Sequence, residues 1–321
     1  MTYHVLIPDR LHPAAIDLLE QAEGITVTAP GSMEREDALA AVASADGLII
    51  RSSTRVDAEM LGAAPKLRVV VRAGAGVDNV DLDAATARGV IVMNTPSANT
   101  ISTAEHTFAL MLALARHIPQ AHQSLAEGRW ERKQYEGVEL NGKVLGIIGL
   151  GRVGRAVARR ALAFGMRVLA YQPNAHEPCD GVQEVETLDD LFREADFISL
   201  HPSLTDQTRS VINAETLAKM KPGVYLINTA RGALVVEEDL ADAIRRGHVA
   251  GAALDVYSSE PPSPDNPLIG LPNVIHTPHL GASTADAQRA VAVQAAEQMI
   301  DALLRGEYRH VRNQAVLGTP D

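Results

Sequence analysis

The sequence predicts an α/β protein built from two Rossmann-like, doubly wound domains, each with a parallel sheet. Two observations support this prediction. Short β-rich apolar runs alternate with helical patterns along most of the 321 residues, which is typical of parallel βαβ units. A glycine-rich turn also joins a strand to a helix within residues 144–165, and this arrangement is typical of dinucleotide-binding domains.

The glycine-rich turn at residues 149–154 fits the pattern G-x-G-x-x-G, and an apolar β-rich run at residues 144–148 precedes it. In such a motif Gly149 allows a tight turn, Gly151 lets the backbone approach a pyrophosphate, and Gly154 lets helix and strand pack closely. The N–H groups at the start of the helix then favour the phosphates. We therefore predict a bound dinucleotide; a packing turn that binds nothing is the alternative interpretation.

The next strand of the motif, at residues 167–171, is followed by Gln172, where the pattern usually has Asp or Glu to hold the ribose hydroxyls. A Gln amide offers a neutral acceptor and two donors, so it can still bind a ribose hydroxyl. It does not repel the 2′-phosphate of NADP, although no Arg stands at 173–175 and His176 is the nearest potential cation. We expect NAD as the cofactor, with NADP tolerated.

The alternating pattern divides the chain into two domains. Strands of the first domain are predicted at residues 3–7, 25–28, 47–51, 68–71 and 90–93. A long connecting helix is predicted at 101–118, and a charged, irregular segment follows at 127–140. Six strands of the second domain are predicted at residues 144–149, 167–171, 197–200, 224–228, 250–255 and 274–277. We predict a discontinuous substrate-binding domain (residues 1–98 and 285–321) and a dinucleotide-binding domain with its connecting helix (residues 99–284).

The composition excludes several classes of protein. The net charge is −11, which argues against nucleic acid or an anionic membrane as a partner. A single cysteine, Cys179, excludes a disulfide framework and a cysteine-based zinc site, and we expect no metal. The N-terminus does not resemble a signal peptide, and no apolar run is long enough to span a bilayer. We expect a soluble, cytoplasmic protein.

Three charged side chains follow strands of the second domain, at the edge where open α/β sheets bind ligands. They are Arg231, Glu260 and His279. An arginine can hold a carboxylate, a histidine can exchange a proton near neutral pH, and a carboxylate beside that histidine favours the imidazolium. Each residue alone is as readily a solvated or structural group. Together, beside a dinucleotide, they are the groups needed to oxidise an alcohol next to a carboxylate.

The chain resembles the D-isomer-specific 2-hydroxyacid dehydrogenase family over nearly its full length. The segments that carry the resemblance are residues 149–166, 228–244, 251–262 and 277–284. Within the family, the segments 72–96, 130–143 and 278–288 are most similar to the D-3-phosphoglycerate dehydrogenases. The sequence stops soon after residues 313–315, so we expect a short form without the C-terminal regulatory domain of that group.

The resemblance implies a role for individual residues. Arg231 would bind the substrate carboxylate, His279 would be the acid/base, and Glu260 would be its partner. Implied cofactor contacts are Gly149, Gly151, Arg152, Val153, Gly154, Gln172, Ala230, Asp255 and Gly281, with Asp255 near the nicotinamide. Implied substrate contacts are Arg51, Arg72, Ala73, Gly74 and Arg132. The three arginines of this second set would hold a substrate phosphate, and Arg132 would reach in from a partner subunit, which implies a homodimer or a dimer-based oligomer.

The resemblance implies an NAD-dependent oxidoreductase that moves a hydride between a D-2-hydroxy acid and nicotinamide. The first candidate substrate is 3-phospho-D-glycerate, whose oxidation belongs to serine biosynthesis. One alternative is a reductase that acts on glyoxylate or hydroxypyruvate with the same groups. A second alternative, from a different class, is an NAD-sensing binding protein of the corepressor type. In each case the small-molecule partner is a 2-hydroxy or 2-oxo acid or the nucleotide itself.

Overall fold

The computed structural model describes residues 2–174 and 178–318. The chain divides into two compact units, and each is described by itself. The first comprises Met1–Asn99 and Ser283–Asp321, and the second comprises Thr100–Ala282. Two positions discussed for the cofactor preference, residue 175 and the potential cation His176, lie outside the described residues.

The first unit contains a five-stranded parallel sheet. Its strands are β1 (Tyr3–Leu6), β2 (Ile25–Thr28), β3 (Gly47–Ile50), β4 (Val69–Arg72) and β5 (Ile91–Asn94). The helices between them are α1 (Pro13–Glu20), α2 (Arg35–Val42), α3 (Ala58–Ala63) and α4 (Leu82–Ala87). The strand order β2-β1-β3-β4-β5 is that of flavodoxin-like doubly wound domains. The central strand β3 is buried along its whole length, which explains its continuous apolar sequence.

The second unit contains a seven-stranded parallel sheet with the order β12-β11-β10-β9-β6-β7-β8. Its strands are β6 (Val144–Ile148), β7 (Arg167–Tyr171), β8 (Val182–Glu184), β9 (Phe197–Leu200), β10 (Val224–Asn228), β11 (Val249–Leu254) and β12 (Val274–His276). Its helices are α5 (Thr100–Ala115), α6 (Ile118–Ala126), α7 (Arg152–Ala163), α8 (Leu188–Glu194), α9 (Ala214–Lys219) and α10 (Glu237–Arg245). This is the Rossmann order with one extra strand, and the direction of winding reverses between β6 and β9.

Two details of the second unit differ from the sequence prediction. The prediction of six strands was wrong because β8 is only three residues long and two of them are exposed, so it lacks an apolar pattern. The helix predicted at 101–118 is present as α5, but it ends at Ala115, three residues before the predicted end. His117 adopts a left-handed conformation with φ +52° between α5 and α6. Pro119 near the start of α6 lacks an N–H, which favours a new helix at that point.

The first unit is completed by the C-terminal part of the chain. Helix α11 (Ala285–Ile300) packs against α1 and continues into one π-helical turn. Buried Asn313 then ties the following segment to β5, because its Oδ1 accepts from Val92 N–H at 2.9 Å and its Nδ2 donates to the Val90 carbonyl at 2.9 Å. No helix in the described part of the chain is both long and apolar enough to cross a bilayer.

Candidate active site

The three glycines of the turn after β6 have distinct packing environments. Gly149 has φ +92°, and a Cβ there would lie 2.6 Å from the main-chain nitrogen of Pro202. A Cβ on Gly154 would lie 2.2 Å from the Gly149 carbonyl oxygen. Both positions therefore exclude any side chain. A Cβ on Gly151 would meet nothing within 4 Å, so this glycine leaves open space beside the helix.

The start of helix α7 fits a dinucleotide pyrophosphate. Gly151 is the N-cap residue, and no side chain caps this end of the helix. Arg152, Val153 and Gly154 form the first turn, where helical N–H groups lack intrahelical partners and the helix dipole is positive. Open space at Gly151 beside these N–H groups is what a diphosphate requires.

Gln172 lies directly after β7 and contacts the glycine-rich turn. Its Oε1 accepts a hydrogen bond from Leu150 N–H at 2.9 Å. The side chain is neutral at a place where a carboxylate is usual in such folds, and its amide nitrogen carries two donors. Gln172 therefore supports the turn and brings no negative charge to it.

His279 and Glu260 form a close pair. His279 follows β12, and its Nδ1 lies 2.6 Å from Glu260 Oε2, while Glu260 Oε1 accepts from Tyr257 N–H at 3.2 Å. Burial alone would raise the pKa of the Glu260 carboxyl, but the hydrogen bond and charge of His279, with smaller contributions from Tyr257 N–H and Arg231, hold it below its ordinary value. Glu260 is therefore an anion at neutral pH and favours a protonated imidazole beside it.

Arg231 follows β10, and its loop is folded by Asn228. The Asn228 amide donates to the Arg231 carbonyl at 2.8 Å and accepts from Ala230 N–H at 3.0 Å. A Cβ on Gly232 would lie 1.9 Å from the carbonyl carbon of Tyr257. Only glycine permits this contact between main chains, which holds the Arg231 loop against the loop of Glu260.

Asp255, at the end of β11, anchors the loop that carries His279. Its carboxylate is fully buried and accepts from Leu280 N–H at 2.7 Å and from Gly281 N–H at 2.8 Å. Thr277 Oγ1 donates to it at 2.6 Å, and His106 Nε2 lies 3.1 Å away. Burial alone would raise the pKa of Asp255, but these hydrogen bonds hold it below its ordinary value.

The backbone of His279 itself is strained. Its φ is +54°, an uncommon conformation for a residue with a side chain. The His279 N–H donates to the Asp255 carbonyl at 2.9 Å, so the main chain and the carboxylate of Asp255 together hold this conformation. Strain that persists because surrounding bonds fix it is common at active sites.

Several residues of this site were not found from the sequence. His106 was assigned only to a connecting helix, where it is one of several polar residues in the first two turns, so the sequence offered little to single it out. Asn228, Gly232 and Thr277 lie within segments that matched the family pattern, but no role was assigned to them. The partners of Gly232 and Thr277 lie on distant segments, so spacing along the chain does not indicate them. The bonds of Asn228 to Ala230 and Arg231 are local, but they depend on how the loop folds.

The first unit places Arg51 on a firmly held loop after β3. Buried Asp9 accepts from Arg51 N–H, and also from the Thr54 hydroxyl at 2.7 Å. The Asn79 amide donates to the Arg51 carbonyl at 2.7 Å and to the Thr54 carbonyl at 2.6 Å. Both ends of the segment 51–54 are therefore fixed, and so is the main-chain position from which the Arg51 side chain extends.

Arg72 and Gly74 pack against each other in the same unit, next to Ala73. Gly74 has φ +151°, and a Cβ there would lie 1.3 Å from Arg72 Nη1. The guanidinium therefore occupies the space of the missing side chain, and it donates to the Ala73 carbonyl at 3.3 Å. Arg132 belongs to the second unit. It is exposed on a 3-10 turn at Arg132–Tyr135.

Comparison with known proteins identifies the family. The family model "D-isomer specific 2-hydroxyacid dehydrogenase, NAD binding domain" matches residues 108–281. The chain belongs to the D-isomer-specific 2-hydroxyacid dehydrogenases. The second unit is thus an NAD-binding domain of this family, in agreement with the open glycine-rich turn at the start of α7.

Two curated relatives of this dehydrogenase show its place in the family. It is 51% identical over 308 residues to D-3-phosphoglycerate dehydrogenase of Mycobacterium tuberculosis, covering 95% of this chain and 57% of that protein. It is 46% identical over 303 residues to hydroxypyruvate reductase of Thermotoga maritima, covering 94% and 98%. The chain therefore spans little more than half the length of the phosphoglycerate dehydrogenases it matches.

Two solved structures have the same fold as this dehydrogenase. The D-lactate dehydrogenase of Aquifex aeolicus, complexed with NAD and lactic acid, has a TM-score of 0.82 at 29% identity and covers 94% of this chain and 96% of its own. The NADPH-dependent glyoxylate/hydroxypyruvate reductase of Sinorhizobium meliloti, complexed with NADP and malonate, has a TM-score of 0.85 at 30% identity and covers 97% of each chain. Neighbours of the fold thus bind either nicotinamide dinucleotide.

Proposed function

We propose that this dehydrogenase transfers a hydride between a D-2-hydroxy acid and NAD, with 3-phospho-D-glycerate as the substrate. The observation that carries the proposal is the contact of His279 Nδ1 with Glu260 Oε2 at 2.6 Å, beside the Arg231 loop. This set combines a proton acceptor, an anion that stabilises its protonated form, and a cation for the substrate carboxylate.

The residues divide the work of oxidation among them. Arg231 binds the carboxylate and so orients C2 of the substrate. The Nδ1 of His279 is engaged by Glu260, so its Nε2 accepts the proton of the C2 hydroxyl. A bound nicotinamide would supply the acceptor for the hydride from C2, so that loss of this hydride and of the hydroxyl proton converts the alcohol to a 2-oxo acid. In the reverse direction protonated His279 donates to the ketone oxygen, and Glu260 stabilises its charge.

Three further arginines, apart from Arg231, favour a phosphorylated substrate. We propose that Arg51, Arg72 and Arg132 bind the phosphate. Charge-assisted hydrogen bonds contribute about 1.5–3 kcal/mol each when desolvated, so two or three of them would strongly favour phosphoglycerate over glycerate. The rigid support of Arg51 by Asp9 and Asn79, and the packing of Arg72 on Gly74, agree with side chains that act at fixed positions.

Reduction of hydroxypyruvate or glyoxylate is the second candidate function. The reason to retain it is the match to the hydroxypyruvate reductase, which covers 98% of that relative. His279, Glu260 and Arg231 would act in the same way on this substrate. The phosphate-binding arginines would then contribute little.

A turnover assay with a matched set of substrates tests the proposal. Oxidation of 3-phospho-D-glycerate and D-glycerate with NAD is compared with reduction of hydroxypyruvate and glyoxylate with NADH. We expect kcat/KM for phosphoglycerate to exceed that for glycerate by at least about 100-fold, since two charge-assisted contacts suffice for that ratio. Equal rates on both acids would favour the reductase. NAD binding without turnover of any substrate would favour the NAD-sensing binding protein.

The neutral Gln172 predicts imperfect discrimination between cofactors. A neutral hydrogen bond to the ribose is worth about 1 kcal/mol less than a charged one, so NAD binds somewhat more weakly than with Asp. We expect NAD to be preferred modestly and NADP to be used measurably. Gln172→Asp should raise the preference for NAD, chiefly by repelling the 2′-phosphate of NADP.

The measurement for Gln172 is kcat/KM with NAD and with NADP in both proteins. Gln183→Glu, which adds a negative charge on the exposed strand β8, is a matched control and should leave the ratio unchanged. A wild-type protein that already rejects NADP by more than about a thousandfold would show that another group discriminates.

The pair of Glu260 and His279 predicts a specific pH dependence. The pKa of Glu260 is lowered in part by the charge of His279, and this interaction is reciprocal. In Glu260→Gln the protonated imidazole loses the anion that stabilises its charge. The acidic limb of the pH profile for kcat/KM in the oxidation direction should therefore move to lower pH. An unchanged profile would mean that Glu260 only supports the loop.

A further inference from the structure

Glu237 binds both sides of the loop that carries Glu260. It is the first residue of α10, and its Oε1 accepts from Ser258 N–H at 2.8 Å. Its Oε2 accepts from the Ser258 hydroxyl at 2.8 Å and from Asn266 Nδ2, also at 2.8 Å. Ser258 precedes Glu260 by two residues and Asn266 follows it by six, so one carboxylate closes the loop across its base.

The far side of this loop is ordered through Asn266. Its N–H donates to the Ser263 carbonyl at 3.0 Å, and its Oδ1 accepts from Leu268 N–H at 3.0 Å. The amide of Asn266 is thereby oriented with its nitrogen toward Glu237. Three hydrogen bonds at one carboxylate, each charge-assisted, make this the firmest connection between α10 and the loop.

The near side of the loop connects Glu237 to the catalytic pair. Tyr257 N–H donates to Glu260 Oε1 at 3.2 Å, and the next residue, Ser258, is the one that Glu237 holds. Burial, followed by the charges of Asp255, Glu237 and Glu260, raises the pKa of Tyr257 to about 12. Glu237 therefore holds the peptide group next to the one that donates to Glu260, and its charge reaches this part of the site.

We propose that Glu237 is a positioning residue that fixes the Glu260 carboxylate against His279 through Ser258 and Asn266. The inference rests on the proposed function, because it assigns a purpose to the orientation of Glu260. Without the carboxylate of Glu237 the loop is free to move, and Glu260 contacts His279 for only part of the time. The loss then falls on the chemical step, since neither substrate nor cofactor is held by Glu237.

The test compares Glu237→Gln with Glu238→Gln in the full chain. Glu238 is the next residue of the same helical turn and is exposed, so it controls for the loss of one negative charge at this end of α10. The Gln amide at 237 retains one acceptor oxygen, but its NH2 group replaces the oxygen that accepts from Asn266 Nδ2, so this bond is lost. We expect kcat of Glu237→Gln to fall about tenfold, with little change in the KM for NAD, because one positioning contact is lost. Glu238→Gln should behave as wild type.

A double substitution separates positioning from general stabilisation. Glu237→Gln combined with Glu260→Gln should be no slower than Glu260→Gln alone, because Glu237 acts only through Glu260. The acidic limb of the pH profile should also move in the same direction in each single variant. Independent, multiplicative losses in the double variant would overturn the proposal, as would an unchanged kcat in a folded Glu237→Gln protein with a lowered Tm.

Asn266→Ala provides the decision if Glu237→Gln does not fold. This change removes one of the three bonds and leaves both bonds of Ser258, and we expect kcat to fall about threefold with the same shift of the pH profile. A wild-type rate in Asn266→Ala would then count against the proposal. Failure of the proposed function gives a different result. In that case the wild-type protein turns over none of the acids, or His279→Ala retains near-normal turnover, and both outcomes are independent of residue 237.

Discussion

His279→Ala should reduce kcat by a factor of about 10²–10⁴ while leaving cofactor binding near normal, since this is the usual loss when a positioned acid/base is removed. In the proposed mechanism the imidazole takes the hydroxyl proton, and its contact with Glu260 at 2.6 Å stabilises the positive charge that it then carries. It does not hold the pyrophosphate, for which the start of α7 provides the N–H groups. Turnover at saturating substrate and NADH binding by fluorescence measure the two effects separately.

The control for this prediction is His122→Ala, which removes an exposed histidine on α6. It should retain the wild-type rate. The His279 variant also tests whether Glu260 acts independently, because Glu260→Gln in the His279→Ala background should have little further effect. Near-normal turnover of His279→Ala would exclude His279 as the acid/base.

The architecture could be predicted from the sequence because its signals are local. Parallel strands buried on both faces appear as continuous apolar runs, as in β3 and β9. The glycine-rich turn combines a strand, a turn and a helix within about twenty residues, and Gly149 and Gly154 each leave no space for a side chain. Open α/β sheets bind ligands at the carboxyl ends of their strands. The sequence therefore predicted that Arg231, Glu260 and His279, which follow three such strands, lie in one region.

The supporting interactions could not be predicted because they join residues far apart along the chain. Asp255 and His106 are 149 positions apart, and Glu237 lies 29 positions from Asn266. Asp255 illustrates the difference. The family resemblance implies that it lies near the nicotinamide, and the structure adds that its carboxylate accepts from the N–H groups of Leu280 and Gly281. A buried carboxylate needs such donors, but the sequence does not identify them.

Weak local signals account for the errors in secondary structure. Strand β8 is short and exposed at the edge of its sheet, so it depends on pairing with β7 and carries little pattern of its own. The break between α5 and α6 falls in a stretch that remains helical in pattern on both sides. There the backbone at His117, followed by Pro119, overrides that pattern.

Arg132 lies on the exposed 3-10 turn of the second unit. Its side chain is exposed and follows Glu131, which accepts from the Ser124 hydroxyl at 2.8 Å and from Arg129 Nε at 3.1 Å. Apolar side chains nearby, including Trp130 at 76% exposed, are unusual on a free surface. We propose that this segment contacts a second copy of the chain and that Arg132 completes the phosphate site of that copy.

Mixing two inactive variants tests this arrangement. In Arg132→Ala the phosphate contact is lost, and in His279→Ala the acid/base is lost, so each protein alone should have little activity with phosphoglycerate. If Arg132 acts across the dimer, a mixed dimer has one site with both groups intact and one site with neither. Random exchange makes about half of the dimers mixed, so activity should return to about a quarter of the wild-type value.

The same experiment distinguishes an intramolecular role for Arg132. If Arg132 serves the site of its own chain, no mixed dimer contains a complete site, and activity should not return. Lys133→Ala, which changes the adjacent exposed cation, should be active alone and serves as the control for the local substitution. Subunit exchange is confirmed first with differently tagged chains. No recovery of activity after confirmed exchange would show that Arg132 does not act in trans, whereas recovery toward one quarter would assign it to the partner's site, since only that arrangement restores a complete set of charged contacts.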